Sequence, residues 1–259
     1  MDYEGASFIV TGASLGVGRA LALELAARGA TLVLSARTPE PLAQAAQDCS
    51  AAGEAAGHST AHAALAGSCA SSSVARALVC EARELGDFQG FFHCAGVLHP
   101  GPLVWELDPG RFAEVFEAGP MAAHQLAHAA YPALLERGAG LAVFFGSGAA
   151  TIAQPGIGAY CAAKAAQEHL TRQLAAESPE ITAFNYRPGI VDTRMQTQAR
   201  QSQGGGAAAL HAVFQPWKDH GDLISPETSA LVLLALLDSG PERFHGGTAS
   251  WSQGAARED

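Results

Sequence analysis

Thr11-Gly12-Ala13-Ser14-Leu15-Gly16-Val17-Gly18 sits where an apolar strand pattern gives way to a helical one. Ser7-Phe8-Ile9-Val10 precedes it, and Gly16 to Arg28 follows with leucine and alanine at helical spacing. Glycines at such a junction let the backbone approach a ligand closely. The first turn of the helix adds unpaired N–H groups and a partial positive charge. A dinucleotide pyrophosphate suits that environment, so Gly12, Ser14, Leu15, Gly16, Val17 and Gly18 are candidate contacts.

The alternation continues along the chain. Thr31-Leu32-Val33-Leu34-Ser35, a weaker run from Ala61 to Leu65, Gly90 to Cys94, Leu141 to Phe145 and Ile181 to Tyr186 read as strands. Helices are expected from near Pro39, from Ser72 to Glu84, over one long stretch from Pro109 to Arg137, and from Ala159 to Glu177. Strands that are apolar throughout are buried on both faces, and strands alternating with helices imply right-handed crossovers. The expected fold is α/β: a Rossmann-type doubly wound parallel sheet of about seven strands with helices on both faces. One domain over 1–259 is expected, with 1–100 mainly binding the dinucleotide and 140–259 carrying catalysis and substrate. The polar segment 196–222, with Gly204-Gly205-Gly206, breaks the alternation and reads as a substrate lid or a surface loop.

A chain of 259 residues suffices for one large core. Its net charge of −10 disfavours nucleic acid and anionic lipid as partners. No apolar run approaches the roughly 18 residues of a membrane span. Met1-Asp2-Tyr3-Glu4 has no signal-peptide character. Five cysteines without a C-x-x-C pair fit reduced thiols, and a cytoplasmic location is expected. His124 and His128 share a helical face, but no third ligand suggests itself, so no metal is expected.

Tyr160 and Lys164 are spaced i, i+4 and share a helix face. A free phenol titrates near pKa ~10 and is a poor acid–base catalyst at neutral pH. An ammonium beside it stabilises the phenolate and draws that value down. Ser147, just past a strand, is placed to hold a carbonyl oxygen beside the tyrosine. These three are the catalytic candidates. At the end of the second strand, Arg37 stands where an acid would hold the ribose hydroxyls of NADH. Its guanidinium suits the 2′-phosphate of NADPH/NADP+, which is expected in preference to NADH.

The T-G-A-S-x-G-x-G spacing, together with Ser147, Tyr160 and Lys164, resembles the short-chain dehydrogenase/reductase family over almost the whole chain. The resemblance implies carbonyl reduction, with Tyr160 donating the proton and Lys164 also gripping the nicotinamide ribose. It further implies cofactor contacts from Cys94, Ala95 and Gly96, and from Pro188, Gly189, Val191 and Thr193 around the nicotinamide carboxamide. Homodimers or homotetramers are common in the family. Asn185 to Gln196, Leu34-Ser35-Ala36-Arg37 and Gly246 to Trp251 are most like its benzil reductase and sepiapterin reductase group. Ser250 replaces the aspartate that anchors pterin there, which points to an apolar or aromatic carbonyl compound, such as a vicinal diketone. His99, Trp105, Met195 and Trp217 are candidate pocket walls.

Three positions depart from the family pattern. Gly67 and Cys94 stand for its usual aspartate and asparagine, and Gly119 stands for the asparagine that bends the middle helix. Gly119-Pro120 is still expected to kink that helix, because proline lacks an N–H and clashes one turn back. Backbone carbonyls near Phe116 and Gly119 are expected to hold a relay water. These departures leave open a cofactor-binding regulator or scaffold without turnover. A related enzyme oxidising a secondary alcohol is also left open.

Overall fold

A computed structural model describes residues 1–255, so residues 256–259 of the expected domain lie outside the described residues. Seven strands form one sheet: β1 (Ala6–Thr11), β2 (Thr31–Ala36), β3 (His62–Ala66), β4 (Asp87–His93), β5 (Gly140–Phe145), β6 (Ile181–Arg187) and β7 (Thr248–Ser250). Their order is β3-β2-β1-β4-β5-β6-β7, and every neighbouring pair is parallel. This is the expected doubly wound sheet. The chain reverses direction across the sheet between β1 and β4, whose carboxyl ends meet at Thr11 and His93. The loops leaving those ends diverge to opposite faces, which opens a crevice there.

Adjacent residues of the inner strands feed two cores. Phe8 and Phe92 pack with Leu21, Leu25 and Leu233 on one face, under α1 (Gly16–Ala26), α2 (Pro39–Ala55) and α9 (Pro226–Asp238). Ile9 and Phe91 pack with Leu78, Leu126 and Phe144 on the other, under α3 (Ser72–Leu85) and α5 (Ala122–Arg137). Two-sided burial is why these strands are apolar throughout rather than alternating.

Three elements differ from the sequence expectation. β4 starts at Asp87, ahead of Gly90, because Gly90 sits at φ +154° beside a register shift between Ser7 and Phe8. That bulge breaks the apolar pattern at the strand's start. The expected long helix is α4 (Pro109–Phe116), a π turn over Glu117–Met121 and α5, bent where Gly119 leaves helical geometry at φ −98°, ψ −105°. The segment 196–222 is no loop: it holds most of α7 (Arg194–Arg200) and all of α8 (Ala207–Asp219). The alanine run after Gly206 has high helix propensity and Leu210 anchors it in the interior. Among the described residues no helix is long and apolar enough to cross a membrane.

Candidate active site

The turn after β1 is shaped by close backbone approach. Gly12 has φ +66°, and a Cβ on it would stand 2.8 Å from the Ala95 nitrogen. A Cβ on Gly18 would stand 2.5 Å from the Gly12 oxygen and 3.1 Å from Cβ of Cys94. Cys94 thus fills space against the glycine turn. Leu15 precedes α1 without a side-chain cap, and the first turn of α1 holds no acid. Its N–H groups therefore keep their partial positive charge for an anion.

Across the opening runs the segment after β6. A Cβ on Gly16 would meet Thr193 Cγ2 at 3.4 Å, and one on Gly96 would meet Met195 Cε at 3.7 Å. Gly189 has φ +87°, and Val191 bridges Ile224, so Pro188 to Thr193 is held as a fixed arch. The glycine turn, the end of β4 and this arch enclose one narrow cleft. A cradle from which Cβ atoms are excluded, with a helix N-terminus at its floor, fits a dinucleotide.

Arg37, expected to meet a phosphate, is exposed and ion-paired with Oε1 of Glu114 on α4. His99 Nε2 donates to the other Glu114 oxygen at 2.7 Å. Hydrogen bonds from Arg37, then from His99, hold the Glu114 carboxyl below the usual carboxylate range. Glu114 carried no signal in the sequence, because only the fold brings α4 beside the end of β2.

Ser147, Tyr160 and Lys164 converge. Ser147 lies just beyond β5, in extended geometry, and its Oγ accepts from the Ala149 N–H at 3.2 Å. Tyr160 and Lys164 lie on α6 (Gly158–Glu177), with the Lys164 amine 5.7 Å from the centre of the tyrosine ring. Burial raises the Tyr160 phenol to about 12, against the opposing pull of the neighbouring Ser147 hydroxyl. The phenol is therefore not lowered in the free protein, contrary to the effect expected of Lys164 alone. The ammonium is instead turned inward, donating to the Phe145 carbonyl at 2.6 Å and to Gln167 Oε1 at 3.3 Å. Burial lowers Lys164 to about 8.

The kink in the middle helix is tied to the cleft by a buried relay. A carbonyl only accepts, so His93 Nε2 donates to the Gly119 oxygen at 3.2 Å. His93 Nδ1 then accepts from the Thr11 hydroxyl at 2.9 Å, and Thr11 Oγ1 accepts from the Ala95 N–H at 3.3 Å. His93 thus takes one of the two acceptor positions of the Gly119 carbonyl. Burial lowers its pKa to about 3, so its ring is neutral.

The four expected pocket walls separate. Met195 packs with Leu98, Ile157 and Leu210 beside Tyr160. His99 borders a small cavity next to Tyr160 together with Leu98, Val104 and Ile157. Trp217 is half-buried and packs on Phe214, with ring centres 4.8 Å apart. Trp105 is a correction: at 82% exposure it walls nothing, and its neighbour Val104 lines the cavity instead. Four glycines clasp this side of the site. Gly101 N donates to Gly156 O at 2.8 Å, and Gly206 N donates to Gly101 O at 2.8 Å. A Cβ on Gly204 would fall 2.7 Å from the Pro102 nitrogen.

The chain is similar in sequence and fold to known proteins. Residues 7–204 match the model of the short chain dehydrogenase family. The NADPH-dependent pterin aldehyde reductase of Arabidopsis thaliana is 30% identical over 215 residues, covering 81% of this chain and 83% of that protein. Sepiapterin reductase of Rattus norvegicus is 40% identical over 82 residues, 32% of this chain and 30% of that one. The crystal structure of the KRED1-Pglu enzyme is similar at a TM-score of 0.82 and 27% identity, over 94% of this chain and 100% of that one.

Proposed function

Since this chain belongs to the short-chain dehydrogenase family and is thereby an NAD(P)-dependent oxidoreductase, we propose that it uses NADPH to reduce a carbonyl group to an alcohol. The observation that carries the reading is the convergence of Tyr160, with Ser147 beside it, and the buried Lys164 ammonium at the rim of the glycine cleft. NADPH, when bound, supplies the hydride. The glycine turn and the α1 N-terminus hold its pyrophosphate, and Arg37 turns to its 2′-phosphate. Pro188, Gly189, Val191 and Thr193 hold the nicotinamide end, with Lys164 at the ribose. Ser147 holds the substrate oxygen, and Tyr160 donates the proton that completes the alcohol. A phenol at about 12 in the free protein arrives protonated, as a donor must.

Leu98, Ile157 and Met195 beside Tyr160 favour an apolar or aromatic carbonyl compound. Aromatic vicinal diketones are the first substrates to try, with a pterin aldehyde alongside because of the similarity to the pterin aldehyde reductase. A cytoplasmic homodimer or homotetramer is part of the same proposal. The test follows NADPH consumption across diketones, aldehydes and the pterin aldehyde, in wild type and Tyr160→Phe. Turnover that drops by ~10²–10⁴-fold in the variant is expected. Tight NADPH binding without turnover in either protein would instead support the regulator or scaffold.

A further inference from the structure

The side of α6 that faces the sheet carries four buried polar residues: Lys164, Gln167, Glu168 and Thr171. A core-facing helix stripe is ordinarily apolar, so each of these needs an account. Glu168 is bound through both oxygens by Arg187 of β6, at 3.0 and 2.9 Å. Thr171 donates to the Gln167 backbone oxygen. Gln167 itself is fully buried, and it takes part in nothing described so far except its contact with Lys164.

Its orientation is fixed by chemistry. The Phe145 carbonyl can only accept, and Gln167 places its Nε2 3.1 Å from it, so Nε2 donates there and Oε1 must face Lys164. Lys164 donates to the same Phe145 carbonyl. The ammonium, the amide and the carbonyl thus form a closed triangle that uses two of the three ammonium N–H groups. Opposite stands Gly119, which has no side chain; a Cβ there would lie 3.8 Å from Gln167 Oε1. Among the described residues Gln167 is the one side chain that accepts a hydrogen bond from Lys164.

No anion takes up that duty. Glu168 favours the ammonium only through space, because both its oxygens are bonded to Arg187. Burial pushes the Cys94 thiol up and keeps it neutral, His93 is neutral, and Tyr160 is protonated. With no anion in hydrogen-bond contact, a buried ammonium depends on neutral acceptors for its N–H groups.

We infer that Gln167 is a positioning residue for Lys164, holding its ammonium charged and aimed so that the third N–H faces the cofactor cleft. The inference rests on the reading of Lys164 given above.

The chain has only two lysines, Lys164 and the exposed Lys218. Protein labelled with ¹³C at the lysine ε-carbon therefore yields two resonances, one of them an internal reference. Titrated without cofactor, Lys164 is expected near 8 in wild type. In Gln167→Leu it is expected lower by about one unit, the effect of losing one hydrogen bond to a charged group, with Lys218 unmoved. Gln167→Glu restores an acceptor and moves the titration upward. In turnover, Gln167→Leu lowers kcat about tenfold at neutral pH with the substrate KM little changed, and Gln167→Glu recovers part of the loss. A Lys164 titration that coincides with wild type in both variants overturns the inference. If Gln167→Leu does not fold, the direction of the Gln167→Glu shift decides alone. Absence of wild-type turnover defeats the carbonyl-reductase reading, while the titration still judges Gln167.

Discussion

Arg37 already has a partner in Glu114, which the 2′-phosphate of the proposed NADPH would displace. The Arg37–Glu114 pair is exposed, and such pairs contribute only about 0–1 kcal/mol. On the proposed reading the displacement costs NADPH no more than several-fold in affinity. Glu114→Gln is expected to tighten NADPH up to about fivefold while leaving NADH unchanged, as read by nucleotide fluorescence titration. An equal change for both nucleotides contradicts a role at the 2′-phosphate. At this scale the sequence disclosed the chemistry better than the company it keeps. Tyr160 and Lys164 announce themselves by spacing, whereas Glu114 and His93 act across contacts that only folding creates. Gln167 had a readable signal, since it stands three residues after Lys164 on the same helical face. A polar residue in a helix otherwise passes for a solvated one.

The elements follow the apolar patterning closely where strands are buried on both faces, and less closely where glycine intervenes. β1, β2, β5 and β6 lie where the runs of valine, leucine and phenylalanine place them. The start of β4 was hidden by the Gly90 bulge, and the helix after Gly206 was hidden by the three glycines before it. Those glycines serve the clasp over the substrate side rather than a loose lid. Gly204 has φ +130° and no room for a Cβ. Gly204→Ala is expected to raise the KM for the carbonyl substrate about tenfold by displacing that clasp, with NADPH affinity unaltered. Steady-state kinetics with each substrate varied in turn separates the two constants. A parallel loss of NADPH affinity would show that the clasp supports the whole cleft instead.

The whole molecule brings two halves of a cleft together around a core that excludes water, and His93 lies at their seam. An unfolded imidazole takes a proton below about pH 6.5, but the buried His93 ring takes one only near pH 3. Between those values the unfolded state holds the extra proton, so this group makes stability fall as pH drops and contributes nothing above that range. His93→Asn is expected to be less stable at pH 7. Its unfolding free energy, read from denaturant titrations, should then fall less steeply than that of wild type between pH 6 and 4, a slope difference of about 1.4 kcal/mol per pH unit. Identical slopes would mean that His93 already carries a proton in the fold. On the proposed function, the cleft that this core supports places one phenol beside one hydride, and that is what a single-turnover experiment reads. With enzyme in excess and saturated with NADPH, reduction of an aromatic diketone is followed in wild type and Tyr160→Phe, after the NADPH Kd of each is measured. Equal Kd values with a single-turnover rate at least ~10²-fold slower in the variant are predicted. Equal rates would contradict the assignment of the proton to Tyr160.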